Sequence, residues 1–466
     1  MSRVRPVARR VCAVAAVAFL YGTFAASIAN SSATTLAATS WTVYHGNVAG
    51  SAKAQGLSFV DTRSAKWTSP TLDGALYGEP LVFGSDIYVA TENDSVYALS
   101  STTGRVVWKR HVASAVPSPQ LPCGNISPEV GITGTPVIDG VRDEIFFVAD
   151  EMVRRHPEHV LVGLSTRTGA VRMSHDVDPP GSASVALLQR TGLTLDNDRI
   201  IFGFGGNYGD CAAYRGRVVS ASETGGRTNY FTVDRASGDS QGAVWMGGAA
   251  PAVDAKGNVW VSVGNGSVNQ SGQRFDDSDS VLELTSSMRL RQYFAPRSWA
   301  KNNASDLDMS MEPALLSDGQ VVIAGKSRII YLLNGRHLGG VGHQQSSLTS
   351  GCSDDVEGGA AVNGTTVFLP CVAGTIALRV STTAPTLRVL WSASSGGGPP
   401  IIAAGLVWSI GQNGVLYGLN PSTGTVHQHV SIGAPINHFP TPSVGDGLLL
   451  APSANRVVAF RMFDAG

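Results

Sequence analysis

One pattern recurs seven times between residues 78 and 433, and an eighth time in part. A short apolar segment, usually opened by Pro, leads through a Gly/Asp turn into a β-rich run. A second β-rich run follows, often closed by Thr-Gly, and then a third. The clearest copy reads Glu79-Pro80-Leu81-Val82-Phe83, Ile87-Tyr88-Val89-Ala90 and Val96-Tyr97-Ala98-Leu99. After Thr103-Gly104 it ends with Val106-Val107-Trp108. Four short strands per copy, at a period of roughly 40–50 residues, predict an all-β chain folded as a β-propeller of four-stranded antiparallel blades.

Two features serve as rulers for the repeat. Thr-Gly turns fall at Thr103-Gly104, Thr168-Gly169, Thr224-Gly225 and Thr423-Gly424, and Pro opens first strands at Pro80, Pro136, Pro251, Pro313, Pro400 and Pro442. Pro is tolerated where a strand begins or lies at an edge, which suits the innermost strand of a blade. The rulers place blades at 78–112, 134–177, 184–234, 247–296, 310–348, 357–394 and 398–433. The eighth begins at His438 and has three strands of its own, 441–445, 448–452 and 456–461. A strand around Ala65-Lys66-Trp67-Thr68 is expected to complete it, pairing the last sheet with the first segment and removing open edges. The alternative is seven blades and a stray hairpin.

Loop lengths are one-sided. In such a blade the second–third connection and the link to the next blade leave from one face, and the other two turns from the opposite face. The long connections (113–133, 151–158, 178–183, 205–215, 235–246, 264–280, 297–309 and 338–356) nearly all belong to the first set. The other face carries tight turns such as Phe83-Gly84-Ser85-Asp86. Long loops on a rigid scaffold are where binding and catalysis concentrate, so this face is the expected site of function.

Residues 1–38 lie outside the repeat. Arg3, Arg5, Arg9 and Arg10 precede an apolar run from Val11 to Ala29, followed by small residues, as in a secretory signal peptide with a short linker; an uncleaved anchor is the alternative. The remaining 39–466 reads as one domain, mildly acidic, with no basic cluster and no membrane-length apolar stretch. Nucleic acid is therefore not an expected partner. Cys123, Cys211, Cys352 and Cys371 form an even set in an exported chain, which implies two disulfides with three connectivities open. Their positions favour Cys123–Cys211 and Cys352–Cys371, the second local to blade six. The protein is expected to be secreted or held in the cell envelope.

The Val96-Tyr97-Ala98-Leu99…Thr103-Gly104…Trp108 run and its weaker copies resemble the repeat of pyrroloquinoline-quinone-type propellers. That superfamily includes quinoprotein alcohol dehydrogenases and a non-enzymatic propeller of outer-membrane β-barrel assembly, both eight-bladed. Secreted bacterial propellers of this type show further matches at Gly205-Gly206-Asn207-Tyr208-Gly209-Asp210-Cys211, Trp245-Met246-Gly247-Gly248, Asp306-Leu307-Asp308 and Ala324-Gly325-Lys326. The resemblance raises pyrroloquinoline quinone and calcium as cofactors. The alcohol-class enzymes, however, carry a disulfide between adjacent cysteines over the quinone and often a Cys-x-x-Cys-His haem segment. This chain has neither motif.

Several segments carry candidate chemistry. Gly238-Asp239-Ser240-Gln241-Gly242 matches a nucleophile-elbow pattern but lacks the strand–turn–helix setting that exposes the Ser. His156-Pro157-Glu158-His159 offers two imidazoles, but its Pro breaks the helical register that would pair them, and a solvated loop is expected. Asp276, Asp277, Asp279, Asp306 and Asp308 concentrate carboxylates on loops around blades four and five, the best candidates for a metal site. Asn207, Tyr208, Asp210, Tyr214, Arg215 and Trp299 supply aromatic and hydrogen-bonding groups on the same face, and such groups suit carbohydrate or peptide capture. Trp245 is expected to pack between blades.

The function these features favour is non-catalytic: an exported propeller that binds a protein, peptide or glycan through its long-loop face. The alternatives are an atypical quinone-dependent oxidoreductase and an envelope-assembly scaffold, the second weakened by the absence of a lipobox.

Overall fold

The computed structural model describes residues 40–56, 58–433 and 439–463. The expected signal peptide and the expected start of the eighth repeat at His438 lie outside them. Eight antiparallel blades form a β-propeller. The first blade runs Leu81–Phe83, Asp86–Thr91, Ser95–Ser100 and Val106–His111, from the innermost strand outward. The innermost strands of the next six are Val137–Asp139, Thr194–Asp196, Ala252–Val253, Ala314–Leu315, Ala361–Asn363 and Ile401–Ala403. The last blade is built from Ser443–Gly445, Leu448–Ser453 and Arg456–Phe463. Its fourth position is filled from the other end of the chain. Trp67 pairs with Ala459 as expected, and a second piece, Phe59–Asp61, extends the pairing to Phe463.

The strand patterns follow from blade stacking. A middle strand has a blade on each side, so both of its faces are buried, as along Val259–Val263. An outermost strand such as Val106–His111 is largely exposed. Middle strands are therefore nearly continuous in Val, Ile, Leu and Phe, and fully burying each such side chain stabilises the fold by about 1.5–3 kcal/mol.

The Thr-Gly turns have a packing role that spacing alone does not disclose. Gly104, Gly169 and Gly424 adopt left-handed φ of 70°, 65° and 72°. A Cβ at each would strike the indole of the preceding blade's outermost strand: Trp67, Trp108 and Trp391 respectively. Each indole N–H then donates to a carbonyl of the turn it covers: Trp67 to Ser101 at 2.7 Å, Trp108 to Thr166 at 2.8 Å, and Trp391 to Pro421 at 2.9 Å. Glycine supplies both the backbone conformation and the space. Blade stacking is thus keyed by one aromatic–glycine contact per seam wherever both residues are present.

Residues 41–54 run around the inside of the channel. Trp41 N–H donates to Val82 O in blade one, while Thr42 O accepts from Ile138 N in blade two. Val48 O accepts from Val253 N in blade four, Ser51 O from Val362 N in blade six, and Ala52 O from Ile402 N in blade seven. The innermost strands would otherwise present bare backbone to the channel, and this segment satisfies part of it. The partners lie close to the short turns, so that half of the channel is filled. His45 is fully buried there, its N–H donating to Glu79 Oε2 at 2.8 Å.

Two expectations need correction. Residues 151–158 are not a loop: strands Glu144–Val153 and His156–Ser165 stay paired as far as Val153–His156. His159 is consequently not solvated but fully buried, its Nδ1 2.8 Å from Asp178 and its Nε2 3.7 Å from Asp150. The alternation of the extended hairpin, not Pro157, decides where this ring points.

Candidate functional site

Disulfides Cys123–Cys211 and Cys352–Cys371 are both formed, in the expected pairing. The first ties the link between blades one and two to the loop inside blade three. The second anchors the link entering blade six. Both lie on the long-loop face, and closing loops of 88 and 19 residues stabilises a chain by about 3–5 kcal/mol each where native geometry is unstrained.

Around the axis on this face, links from several blades bring charged and aromatic groups together. Gly325 lies so close to the backbone of Asp308 and Met309 that no Cβ fits, and Lys326 N–H donates to Asp308 O at 2.8 Å. This contact aims the Lys326 ammonium at Asp308 Oδ2, 2.6 Å away, with Asp306 at 3.2 Å. The other Asp308 oxygen accepts from Asn265 N–H. Lys326 also stands over the Trp245 ring, 5.4 Å from its centroid. Trp245 in turn is 6.0 Å from Phe439. Arg190 lies 5.6 Å from the Phe439 ring and 5.5 Å from that of Tyr77. Gly248 makes room for Arg190, because a Cβ there would strike the guanidinium.

Electrostatics follow from burial. Burial depresses Lys326, but Asp308 and Asp306 outweigh it and raise the ammonium above its ordinary value, so it stays charged. Burial pushes Glu92 up to about 7, although Gly131 N–H and Thr133 Oγ1 donate to it at 2.8 and 3.1 Å. Glu357 is likewise pushed up to about 7 by burial, partly offset by Lys326. The mouth therefore combines fixed cations, carboxyls that titrate near neutrality and half-buried aromatic rings. Such a set can hold a ring or side chain by stacking and by donors and acceptors on its rim.

The residues singled out from sequence are distributed unevenly around this mouth. Asp210 accepts from Tyr214 Oη at 2.6 Å and feels the charges of Asp308, Asp306 and Lys326, so the two loop systems adjoin. Tyr214 itself is buried, and Asn207 is buried with its amide donating to Val185 O. Tyr208 is 69% exposed. Arg215 clamps its loop to the following connection, 235–246, through Ala236 O and Asp239 O. Trp299 is core, edge-on to Phe275 at 5.2 Å in a small cluster under the loops. The carboxylates do not converge. Asp276 accepts from Ser278, Asp277 pairs with Arg235, Asp279 accepts from Asn302, and Asp306 and Asp308 share Lys326. Among the described residues no group of three or more His, Cys, Asp or Glu is placed to hold a metal ion. Ser240, in the nucleophile-elbow match, has its backbone N–H on Ser267 Oγ within an irregular loop.

Arg190 and Glu357 belong to no motif of the sequence, and Lys326 enters only through the Ala324-Gly325-Lys326 match, with no role attached to it. Each sits one to several residues before an innermost strand or inside a short second–third loop. Glycine is a further local signal: Gly248 borders the Arg190 guanidinium, Gly325 directly precedes Lys326 and Gly358 directly follows Glu357 in sequence.

The family model described as outer membrane protein assembly factor BamB matches residues 24–110 and 53–274, together more than half of the chain. Among curated proteins no sequence matches. A quinohemoprotein alcohol dehydrogenase from Comamonas testosteroni is similar in structure, with a TM-score of 0.69 at 14% identity, covering 92% of this chain and 81% of that one. A europium-containing methanol dehydrogenase gives 0.68 at 13% identity over 91% and 98%. BamB from Moraxella catarrhalis gives 0.55 at 15% identity over 87% and 98%. At these identities the likeness is one of fold.

Proposed function

Since the chain belongs to the family of pyrroloquinoline-quinone-type propellers described by outer membrane protein assembly factor BamB, we propose that it is an extracytoplasmic binding protein. It captures a protein, peptide or glycan at the axial mouth of its long-loop face. The observation that carries this reading is the asymmetry of the channel. Residues 41–54 bond to the innermost strands near the short turns, whereas the opposite end gathers Arg190, Trp245, Lys326 and Phe439. Two disulfides stiffen that face and suit an oxidising compartment. No helix among the described residues is long and apolar enough to cross a membrane.

The similar dehydrogenases raise a quinone with a bound metal cation. The donor set does not fit that pair. Asp308 is already held by Lys326, which it shares with Asp306, and by Asn265 N–H, and among the described residues no three carboxylates or other ligating groups converge to make a cation cage. The ring of Trp245 has Lys326 over it, and neither disulfide joins adjacent cysteines. The family's assembly role is consistent with a binding mouth.

The test is a glycan and peptide array probed with the exported protein, followed by Trp245→Leu and Tyr208→Ala variants. Binding should fall at least tenfold in Trp245→Leu while the melting temperature holds. Quinone-dependent dye reduction after addition of calcium and pyrroloquinoline quinone, or a ligand mapped to the short-turn face, would overturn it.

A further inference from the structure

A second concave site lies on the outer rim, at the seam between blades three and four, and it is independent of the axial mouth. It is a groove of about 590 Å³ lined by Arg215, Tyr230, Phe231, Arg235, Met288 and Arg289, among others. Its origin is the lapse of the aromatic–glycine key. Trp108 sits opposite Ala98 in blade one, and the corresponding place in blade three, opposite Ser220, is taken by Asn229, which offers no aromatic ring. The turn that should receive an indole has no Thr-Gly. Met288 holds the left-handed position instead, at φ 60°, and its side chain is buried. Tyr230 packs the other way, against the core of blades two and three, while Phe231 and Met288 floor the seam.

The wall of this groove is an unpaired strand edge. Val233 N–H donates to Gly216 O, and the register continues Arg217–Thr232, Val218–Phe231, Val219–Tyr230. Bonded and non-bonded pairs alternate along an antiparallel ladder, so Tyr230 and Thr232 turn their N–H and C=O groups outward. No described residue bonds to them from the groove side. Positive charge stands at both ends of this edge. Arg289 is exposed and makes no ion pair among the described residues. Arg215 is bonded only to carbonyls, so its charge is not neutralised. Arg235 lies over Phe231 at 5.3 Å and is paired with Asp277.

We propose that this seam binds an extended acidic peptide, which adds as a strand to the outer edge at Tyr230–Thr232. Its backbone pairs with the outward groups, alternate side chains enter the groove over Phe231 and Met288, and its carboxylates face Arg215 and Arg289. Strand addition supplies affinity through main-chain bonds and selectivity through alternate side chains, and the arginine forks select carboxylates.

The test pans a displayed library of random twelve-residue peptides on the full exported protein. Enriched peptides are then measured by fluorescence anisotropy on wild type, Thr232→Pro and Arg289→Glu. Thr232→Pro removes an N–H that no ladder bond uses, and Pro is tolerated at a sheet edge, so the fold should survive. Arg289→Glu alters only an exposed side chain. Acidic peptides should be enriched, with affinity falling at least tenfold in each variant. Enrichment of peptides without acidic residues, equal binding to both variants, or no enrichment at all overturns the proposal. An acidic glycan that binds wild type and Thr232→Pro equally would also overturn it, because a sugar has no strand to add.

Discussion

The ammonium of Lys326 sits 2.6 Å from Asp308 Oδ2, and both groups are largely withdrawn from water. A buried pair of this kind contributes little net stability, yet breaking it on one side is costly because the other charge is stranded. Lys326→Met should therefore destabilise the fold by about 3–5 kcal/mol. Lys326→Met with Asp308→Asn should cost clearly less than the sum of the two single changes. A denaturation double-mutant cycle measures this, and additive costs would show that the pair is not coupled.

Trp108 over Gly169 and Trp391 over Gly424 make the same packing prediction at two seams. Gly169→Ala must place a Cβ where the indole lies and hold a left-handed φ of 65°. It should lower stability by more than about 1 kcal/mol, and Trp108→Ala by about 3–5 kcal/mol. The pair together should not add, since either change alone opens the seam. Thermal unfolding of the three variants decides it.

Closure of the last blade makes a third prediction. Trp67 pairs with Ala459, its indole docks on Ser101 O in blade one, and Phe59–Asp61 continues the pairing, so two short strands from one segment seal the ring. Deleting residues 39–70 exposes the edge of Arg456–Phe463 and also removes the segment inside the channel. The truncated protein should melt well below the intact domain or fail to fold. An unchanged melting temperature would refute this closure.

Stability should fall as pH rises through neutrality. Burial pushes Glu92, Asp150 and Glu357 up to about 7, and Asp234 up to about 8. In the unfolded chain these carboxyls ionise near 4, so from about pH 4 to about pH 7–8 the folded state binds more protons. Their contribution is complete below pH 4 and is lost progressively up to that limit. His159 shifts in the same sense: burial lowers it, but Asp150 and Asp178 outweigh that and raise it. Its contribution is present below its ordinary value and is lost as pH rises through the raised one. Asp178 acts oppositely, lowered chiefly by His159 against burial, and loses its contribution only in strong acid. The melting temperature should be higher at pH 5 than at pH 8, and Glu92→Gln should flatten the difference. An equal or higher value at pH 8 would contradict the assignment.

The period of the repeat, the Pro and Thr-Gly rulers and the count of strands were enough to place eight blades and the closing strand at Trp67. Those features are local or nearly so: β-rich runs of a given length, turn chemistry, and hydrophobic faces that only a neighbouring copy can cover. The cysteine pairing was also legible, because the blade positions put the four thiols on one face. The axial mouth was not. Arg190, Trp245, Lys326 and Phe439 are far apart in sequence, and each comes from a different connection. Their meeting depends on where the ring of blades brings its links, and on space left by glycines such as Gly248. The fate of the acidic residues was equally hidden. Composition counted Asp276, Asp277, Asp279, Asp306 and Asp308 together, but each was claimed by a different donor once the loops packed. His159 was misread for the same reason, since a two-residue turn at Arg154-Arg155 let a hairpin continue and carry the ring inward. Strand pattern and turns are written in neighbouring residues, whereas burial and charge partners are set by long-range contacts, and only the closed ring determines those.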